Sequence, residues 1–482
     1  MKKQLLIVFL LLALVLTACG KPTEDKSTES SNLSESTPQS EEDSATSEES
    51  EESEISEDES MDISDETSAQ PIERTWPHVT GTFIQPWACA NWTVANWKTH
   101  FKGLKEVGID IFIVQWIADT PEGKFENVYY PSSLTQNNRT SGFKEYPNML
   151  PNLLEAAEEL GIKVFVGLNN ANEWWSYAVT KNDWNIKQSK VGIDIATEIY
   201  DKYKSQYPNA LHGWYFVWEM YNGMSGYETK AGEFLNMYLD PLTELDASMP
   251  MLLSPYVRSS GGNAKKAEEE WKKVFATANF REGDIFCCQD AVGAGHITIN
   301  QLDAYFAALK AAVDTEEGLI FWANSENFTQ DFQSAYLSRF LRQMEIARPY
   351  VSGYVTFAYS HYYAKDYNGK AAFHRAYKYY YDTGDTQPVL ENPEISYTVE
   401  EDKAVLNIVC KNNNAGIEKV VISVSGRGDT VKNIALNQLD KDEFTFKHTV
   451  SLKSGESKIT VKVTVNDYYG SISEKTIDID LG

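Results

Sequence analysis

Between residues 75 and 385 the chain alternates short apolar runs with longer segments whose apolar residues recur every three or four positions. The short runs, bounded by turn residues, are typical of buried strands, and the three-to-four spacing is typical of amphipathic helices. One helix pattern begins behind Thr93, the expected N-cap, and continues through Trp97, Phe101 and Leu104. Strands are predicted at 81–84, 109–116, 163–168, 213–218, 251–254, 284–288, 318–322 and 353–357.

Glycines between predicted helices and strands support this reading. Gly108 and Gly161 each follow a helix pattern and directly precede a strand, which is the usual position of a helix C-cap. Strands alternating with helices eight times over about 310 residues match a (β/α)8 TIM barrel in number and length. An open doubly wound sheet is the alternative, but no glycine-rich dinucleotide loop follows the first strand. We therefore expect an α/β fold built on a TIM barrel.

The pattern changes near Pro388. Tryptophan is frequent before this point and absent after it, and short runs of alternating apolar and polar residues follow, as at 404–409 and 458–463. About seven such runs, separated by turn residues, indicate a small all-β sandwich of the immunoglobulin or fibronectin type.

The first residues indicate export. Lys2 and Lys3 precede an apolar run at 5–15, which is too short to span a bilayer comfortably, and Leu16-Thr17-Ala18-Cys19 follows. This run resembles the cleavage box of bacterial lipoproteins, which implies cleavage before Cys19 and attachment of lipid to it; an ordinary signal peptide is the alternative. We expect a protein anchored by lipid to the cell membrane and facing the extracellular side.

An acidic segment follows. Residues 21–70 contain 18 Asp or Glu and 2 Lys, so this stretch carries −16 of the formal net charge of −27. Too few apolar residues are present to offset the entropy of ordering, which predicts a disordered tether. The predicted divisions are a signal peptide at 1–18, the lipidated Cys19 with its linker at 19–72, the barrel at 73–386 and the sandwich at 387–482.

Several classes of function are disfavoured. The residues after the acidic segment keep a mild excess of negative charge, which argues against nucleic acid or anionic lipid as a partner. We also expect the protein to be a monomer. The remaining cysteines show no metal-ligand spacing and are predicted to be small buried hydrophobic residues. Neither a phosphate-binding glycine loop nor a Gly-x-Ser-x-Gly motif is found, so we expect no metal and no cofactor.

Active sites of TIM barrels lie at the C-terminal ends of the strands. The residues predicted there are mainly Trp, Tyr, Gln and Asn. Aromatic rings stack on the apolar faces of sugars, and amides bind hydroxyl groups, so the set predicts a carbohydrate site binding an oligo- or polysaccharide. The predicted substrate-binding residues are Gln85, Trp87, Gln115, Trp116, Asn169, Trp174, Tyr256, Tyr359 and His361.

Glycoside cleavage requires two carboxyl groups, and three follow strands directly: Glu219, Asp290 and Glu326. Glu219 is the predicted general acid/base, Glu326 the nucleophile or second base, and Asp290 a substitute or third participant. Each has a structural alternative. Glu219 could pair with a cation at the open end of the barrel, Asp290 could cap the next loop, and Glu326 could cap a helix or be solvated.

The barrel resembles a family named as domain of unknown function 4434, which is regarded as a group of TIM-barrel glycoside hydrolases. The resemblance rests on the segments 81–87, 213–219 and 289–293, and it covers roughly residues 78–385. It implies a hydrolase and leaves the substrate open.

The barrel is also similar to the large cellulase-like clan, which carries its acid Glu after the fourth strand and its nucleophile Glu after the seventh. Glu219 and Glu326 match those positions, whereas Trp218 stands where the clan usually has Asn. Three functions follow as hypotheses: a surface glycoside hydrolase, a non-catalytic glycan-binding lipoprotein, and an adhesive surface protein that works through its sandwich.

Overall fold

The computed structural model describes residues 74–367 and 369–481. Its larger part is a closed barrel of eight parallel strands, in which neighbours in sequence are also neighbours in space. The first strand pairs with the second and the last, with Gly81 opposite both Ile111 and Val355. The predicted TIM barrel is therefore confirmed, and the alternative of an open sheet is wrong. The barrel strands are Gly81–Ile84, Ile111–Val114, Lys163–Gly167, Leu211–Phe216, Met251–Leu253, Ile285–Gln289, Ile320–Asn324 and Gly353–Thr356.

A long helix follows each barrel strand and covers its outer face. Their ends carry the signals seen in the sequence. The Thr93 side chain accepts a hydrogen bond from the Asn96 N–H, and Gly161 ends the second helix in the left-handed conformation with φ 67°. The helices are Val94–Lys105, Met149–Leu160, Asn182–Tyr203, Glu228–Asp246, Ala264–Phe275, Ile299–Val313, Leu337–Ala347 and Ala371–Thr383.

The sequence did not predict a second, four-stranded sheet that extends the second and third barrel strands. Ala118–Asp119 pairs with Asn169–Asn170 on one side and with Phe125–Val128 on the other, and Arg139–Glu145 completes the sheet. It continues past the C-terminal ends of two barrel strands. Short helices also follow strands at this end of the barrel, at Pro86–Cys89, Trp174–Tyr177 and Tyr359–Tyr362.

The C-terminal part consists of two antiparallel sheets around their own apolar core. One contains Glu394–Val399, Lys403–Lys411 and Glu443–Ser451, and the other contains Ile417–Val424, Thr430–Asn433, Lys458–Asp467 and Ile472–Asp480. The predicted sandwich is confirmed.

The sandwich contacts the barrel at one helix end and one helix face. The Tyr336 hydroxyl, just before helix Leu337–Ala347, donates a 2.7 Å hydrogen bond to Glu418. The rings of Phe373, from the last barrel helix, and Tyr468 meet edge to face with centroids 5.1 Å apart. The sheet that carries Glu418 is therefore attached to the seventh and eighth units of the barrel.

The predicted signal peptide, the lipid on Cys19 and the tether lie outside the described residues. Within 74–367 and 369–481, no helix combines the length and apolar character needed to cross a membrane. Cys89, Cys287, Cys288 and Cys410 are unpaired and buried, as predicted.

Candidate active site at the barrel mouth

The open end formed by the C-terminal ends of the barrel strands is called the barrel mouth below. Side chains alternate along a strand between the barrel interior and the helix layer. In the fourth strand Tyr215 points inward, where its ring lies 5.2 Å from that of Phe83 in the first strand. Trp218 has the opposite direction and donates a 2.7 Å hydrogen bond from its indole to Tyr238 of a surrounding helix. Glu219 follows the inward series, so its carboxyl group faces the mouth.

The carboxyl group of Glu219 is half-buried among amides. Gln115, from the end of the second strand, donates from Nε2 to its Oε1 at 3.4 Å, and Gln289 lies beside it from the end of the sixth. Burial raises the pKa of Glu219 to about 7, against a smaller lowering by the two amides. A carboxyl group with this pKa is partly protonated at neutral pH, as a general acid requires.

Gln85, Trp87 and His361 form one side of the mouth. The Gln85 backbone N–H donates to Nε2 of His361 at 3.2 Å, and the imidazole stacks on the Trp87 indole with centroids 6.0 Å apart. Burial lowers the pKa of His361 to about 3, so the ring is neutral at physiological pH. Trp87 is 37% exposed and offers an aromatic surface at the rim.

Tyr256 lies on the opposite side. It continues the fifth strand and forms parallel bridges with both Tyr221 and Gln289. Its ring lies 5.2 Å from Tyr221 and stacks on His296 at 5.1 Å. The guanidinium carbon of Arg258 lies 4.0 Å from the centre of the Tyr221 ring. A row of aromatic rings with a cation at one end therefore forms this side.

Asp290 and Glu326 are close together and buried, at 1% and 2% exposure. One Asp290 oxygen accepts from the backbone N–H of Glu326 at 3.3 Å and from Gln343 of helix Leu337–Ala347, so its carboxyl faces the helix layer. The Glu326 Oε2 accepts from the Ala294 N–H at 2.7 Å. Burial and the neighbouring Asp290 raise the pKa of Glu326. The pair shares a buried environment rather than an open cleft.

Two of the predicted substrate-binding residues point away from the barrel mouth, and two predicted Trp residues are largely buried. Asn169 is fully buried and donates 2.8 Å to Gln188 of a surrounding helix, and the Tyr359 hydroxyl contacts Nδ1 of His374 at 2.9 Å. Trp116 is only 5% exposed. Trp174 is 3% exposed and donates from its indole to the backbone carbonyl of Glu219 at 3.1 Å. The side chains of Asn169 and Tyr359 bond to the helix layer, and their contact with a sugar stays a prediction.

The sequence prediction missed three polar groups near the mouth. Gln289 directly precedes Asp290, and the strand alternation that points Gln289 inward turns Asp290 outward. Asp119 lies in the unpredicted sheet, where it accepts 2.9 Å from Asn127 and 3.4 Å from Asn170, and burial raises its pKa to about 6. Arg258 follows the fifth strand by five residues, so it lies beyond the residues that directly follow that strand.

The arrangement offers acid–base chemistry and hydroxyl recognition. Among residues 74–367 and 369–481, no group of three or more His, Cys, Asp or Glu side chains is arranged to hold a metal ion. The mouth combines a carboxyl group of raised pKa, inward amides and the exposed indole of Trp87 on a closed (β/α)8 barrel. This defines the class of the protein by its fold: a closed (β/α)8 barrel with polar and aromatic groups at its mouth.

The chain belongs to the family described as "Domain of unknown function (DUF4434)", whose model matches residues 79–369. No curated protein matches it. Among solved structures, a provisionally assigned alpha-L-fucosidase from Bacteroides thetaiotaomicron VPI-5482 is similar, with 22% identity and a TM-score of 0.54 over 67% of this chain and 99% of that one. This likeness shows the barrel fold.

More distant structures are also glycosidases. A beta-glucuronidase of Bacteroides uniformis shares 11% identity at a TM-score of 0.36, over 84% of this chain and 46% of its own. An alpha-L-arabinofuranosidase of Thermotoga maritima shares 9% identity at a TM-score of 0.36, over 84% of this chain and 96% of that one.

Proposed function

We propose that this protein hydrolyses glycosidic bonds of an extracellular glycan, with Glu219 as the general acid/base. One observation carries the proposal: a half-buried carboxyl group with a pKa near 7 lies at the barrel mouth between two amides. Proton donation to a leaving sugar oxygen needs an acid that is still protonated near neutral pH. The desolvated position of Glu219 supplies that acid.

Glu326 is the proposed second carboxyl group, acting as nucleophile or base, with Asp290 behind it as a positioning residue. Two residues before Glu326, Asn324 points inward and donates to the Ser254 hydroxyl at 3.0 Å, so strand alternation favours the barrel side for Glu326 as well. Asp290 instead bonds to the helix layer through Gln343. Its hydrogen bond with the Glu326 N–H holds the backbone of Glu326 in place.

The proposed sugar contacts lie on both sides of Glu219. Gln85, Gln115 and His361 offer hydrogen bonds to hydroxyl groups, and Trp87 offers a ring face to the apolar side of a pyranose. Tyr256 is packed between Tyr221 and His296 and offers its hydroxyl group instead. Trp174 supports the site through its bond to the Glu219 carbonyl, and a sugar contact of Trp116 stays a prediction.

The test is Glu219→Gln, which keeps size and polarity but removes the acid. We expect release of reducing ends from a glycan panel to fall at least ~100-fold, the usual size of an acid–base contribution. Glu317→Gln is the matched control, because Glu317 is exposed and lies three residues before Ile320, at the end of the seventh strand opposite the mouth. Hydrolysis at the wild-type rate by the Glu219 variant would refute the assignment.

Non-catalytic glycan binding is the second candidate, and the burial of Glu326 favours it. At 2% exposure, beneath the loop that contains Ala294, this carboxyl group has little contact with the mouth. Wild-type hydrolysis that Glu326→Gln abolishes would exclude this candidate. Retention of a glycan without any product would support it.

We further propose that the protein is a monomer held on the extracellular side of the cell membrane by lipid on Cys19, with residues 21–70 as an acidic tether. Metabolic labelling with a fatty acid, compared between the wild type and Cys19→Ala, tests the anchor. Equal labelling of both proteins would contradict it.

A further inference from the structure

Arg258 is a fixed cation on the side of the mouth formed by Tyr221 and Tyr256. Its backbone is held by the fully buried Asn222, which accepts from the Arg258 N–H at 2.7 Å and donates to the Arg258 carbonyl at 2.9 Å. Tyr305 donates a further bond of 3.3 Å to the same carbonyl. These bonds use both the N–H and the carbonyl group of Arg258, so the direction of its Cα–Cβ bond is fixed.

The guanidinium group lies against aromatic rings rather than against an acid. Its carbon is 4.0 Å from the centre of the Tyr221 ring, and Nε donates a long bond of 3.4 Å to the Asn222 carbonyl. No carboxylate within residues 74–367 and 369–481 forms an ion pair with it. Stacking on Tyr221 holds the plane of the fork while leaving the charge of this half-buried group uncompensated.

Arg258 and Glu219 flank the same aromatic ring. Tyr256 lies 5.2 Å from Tyr221, the ring on which Arg258 stacks, and bridges to Gln289, the amide beside Glu219. Burial raises the pKa of the Tyr256 phenol, Arg258 lowers it by its charge and by a side-chain hydrogen bond, and the charge of Glu219 raises it further. Tyr256 therefore lies between the proposed acid and the guanidinium group.

A planar guanidinium with free donors recognises planar or tetrahedral oxyanions through two parallel hydrogen bonds. A neutral sugar needs no such group, and the contact with Tyr221 leaves the positive charge of Arg258 without a negative partner. We infer that Arg258, Tyr221 and Tyr256 form an anion subsite next to Glu219, which binds the carboxylate of a uronic acid or the sulfate ester of a sulfated sugar. This inference rests on the proposed function, because it names the substrate class of the same mouth.

The experiment is affinity gel electrophoresis of the full-length chain in polygalacturonate, in dextran sulfate and in neutral dextran. The test variant is Arg258→Met, which keeps an unbranched side chain on Tyr221 without the charge. We expect its dissociation constant to rise at least ten-fold for one polyanion and to stay unchanged for dextran. The polyanion whose binding is weakened identifies the ligand group as a carboxylate or a sulfate.

Arg342→Met is the matched control, since Arg342 is exposed on helix Leu337–Ala347 and its removal changes the net charge equally. It should bind all three polymers as the wild type does. Arg258→Lys keeps the charge without the fork and should lose part of the polyanion affinity; it also replaces the Met variant if that one fails to fold. Equal polyanion binding by the wild type and both Arg258 variants would overturn the inference.

Glu219→Gln separates this inference from the proposed hydrolysis. If that variant retains polyanion binding while Arg258→Met loses it, the anion subsite stands even where no bond is cleaved. If instead the wild type hydrolyses only neutral glycans, at a rate that Arg258→Met retains, the subsite is refuted while Glu219 keeps its role.

Discussion

The indole nitrogen of Trp174 donates a 3.1 Å hydrogen bond to the backbone carbonyl of Glu219. The donor comes from a short helix after the third strand and the acceptor from the end of the fourth. Trp174 also packs against Trp218, the residue directly before Glu219, with ring centroids 5.7 Å apart. A buried aromatic residue thus fixes the backbone that carries the proposed acid.

Replacing Trp174 with Phe should remove this bond while keeping most of the apolar contact. We expect a loss of about 2–3 kcal/mol in the free energy of unfolding, from the lost hydrogen bond and the volume removed from a buried site. We also expect kcat to fall more than KM changes, since Glu219 would be misplaced rather than removed. Urea unfolding and steady-state kinetics measure the two effects.

Trp184→Phe is the control for this change. Trp184 packs against Trp174 with centroids 6.4 Å apart, and its own indole nitrogen has no hydrogen-bond partner. It should lose stability without the selective fall in kcat. Identical kinetics in both variants would show that the bond to Glu219 has no catalytic effect.

The pH dependence of activity should report Glu219. Its pKa is raised to about 7, so the protonated acid is depleted above that pH and kcat/KM should fall there. His361 adds no second transition to the pH profile near neutral pH, because its pKa is lowered to about 3. A rate that stays constant up to pH 9 would contradict this role of Glu219.

The same shift has a consequence for folding. The folded-state pKa of Glu219 exceeds its ordinary value of 4.5, so its stabilising contribution is complete below that pH and is lost as pH rises through about 7. Glu219→Gln should remove a slope of at most ~1.4 kcal/mol per pH unit in that window. Urea unfolding of both proteins at pH 5 and pH 8 tests the sign: the variant should gain relative to the wild type at the higher pH.

Asp290 and Glu326 should respond differently to mutation. Glu326→Gln keeps an acceptor for the Ala294 N–H and removes one of two neighbouring acids, so we expect unchanged or higher stability above neutral pH. Asp290→Leu leaves the Gln343 amide and the Glu326 and Val292 N–H groups without their acceptor, and should cost about 3 kcal/mol. Equal destabilisation by both changes would show that the two acids do not repel each other.

Gly293 lies where a side chain would collide with this pair. A Cβ atom there would come 2.5 Å from the Phe328 carbonyl and 2.9 Å from Oε2 of Glu326. Gly293→Ala should therefore destabilise the protein by about 1–3 kcal/mol, as in other overpacked sites. Gly142→Ala is the control, because the nearest atom to its Cβ would be 3.8 Å away. A normal melting temperature for the Gly293 variant would refute the predicted close contact.

The barrel could be predicted from the sequence because its signals are local and repeated. Thr93 caps a helix, Gly161 ends one, and each strand is a short apolar run. The sheet at 118–170 could not be predicted, since Ala118–Asp119 and Asn169–Asn170 are strands of two residues and too short to show any periodicity.

The candidate site was predicted in part because position along a strand locates its end without giving the direction of each side chain. Glu219 follows the inward series of its strand. Asn169 and Asp290 also follow strands, but their side chains face the helix layer. Side chains alternate along the sixth strand, which places Cys287 and Gln289 on one face. This pattern predicts that Gln289 points to the mouth and that Asp290 does not.

The attachment of the sandwich to helix Leu337–Ala347 has a consequence for how this protein should be handled. Tyr336, at the start of that helix, is bonded to Glu418, and Gln343 on the same helix is bonded to Asp290. A displacement of the C-terminal sheets would therefore move helix Leu337–Ala347, which bonds to Asp290 beside Glu326. Removal of the sandwich would delete this support of helix Leu337–Ala347. The intact chain should therefore be used to assay the proposed site.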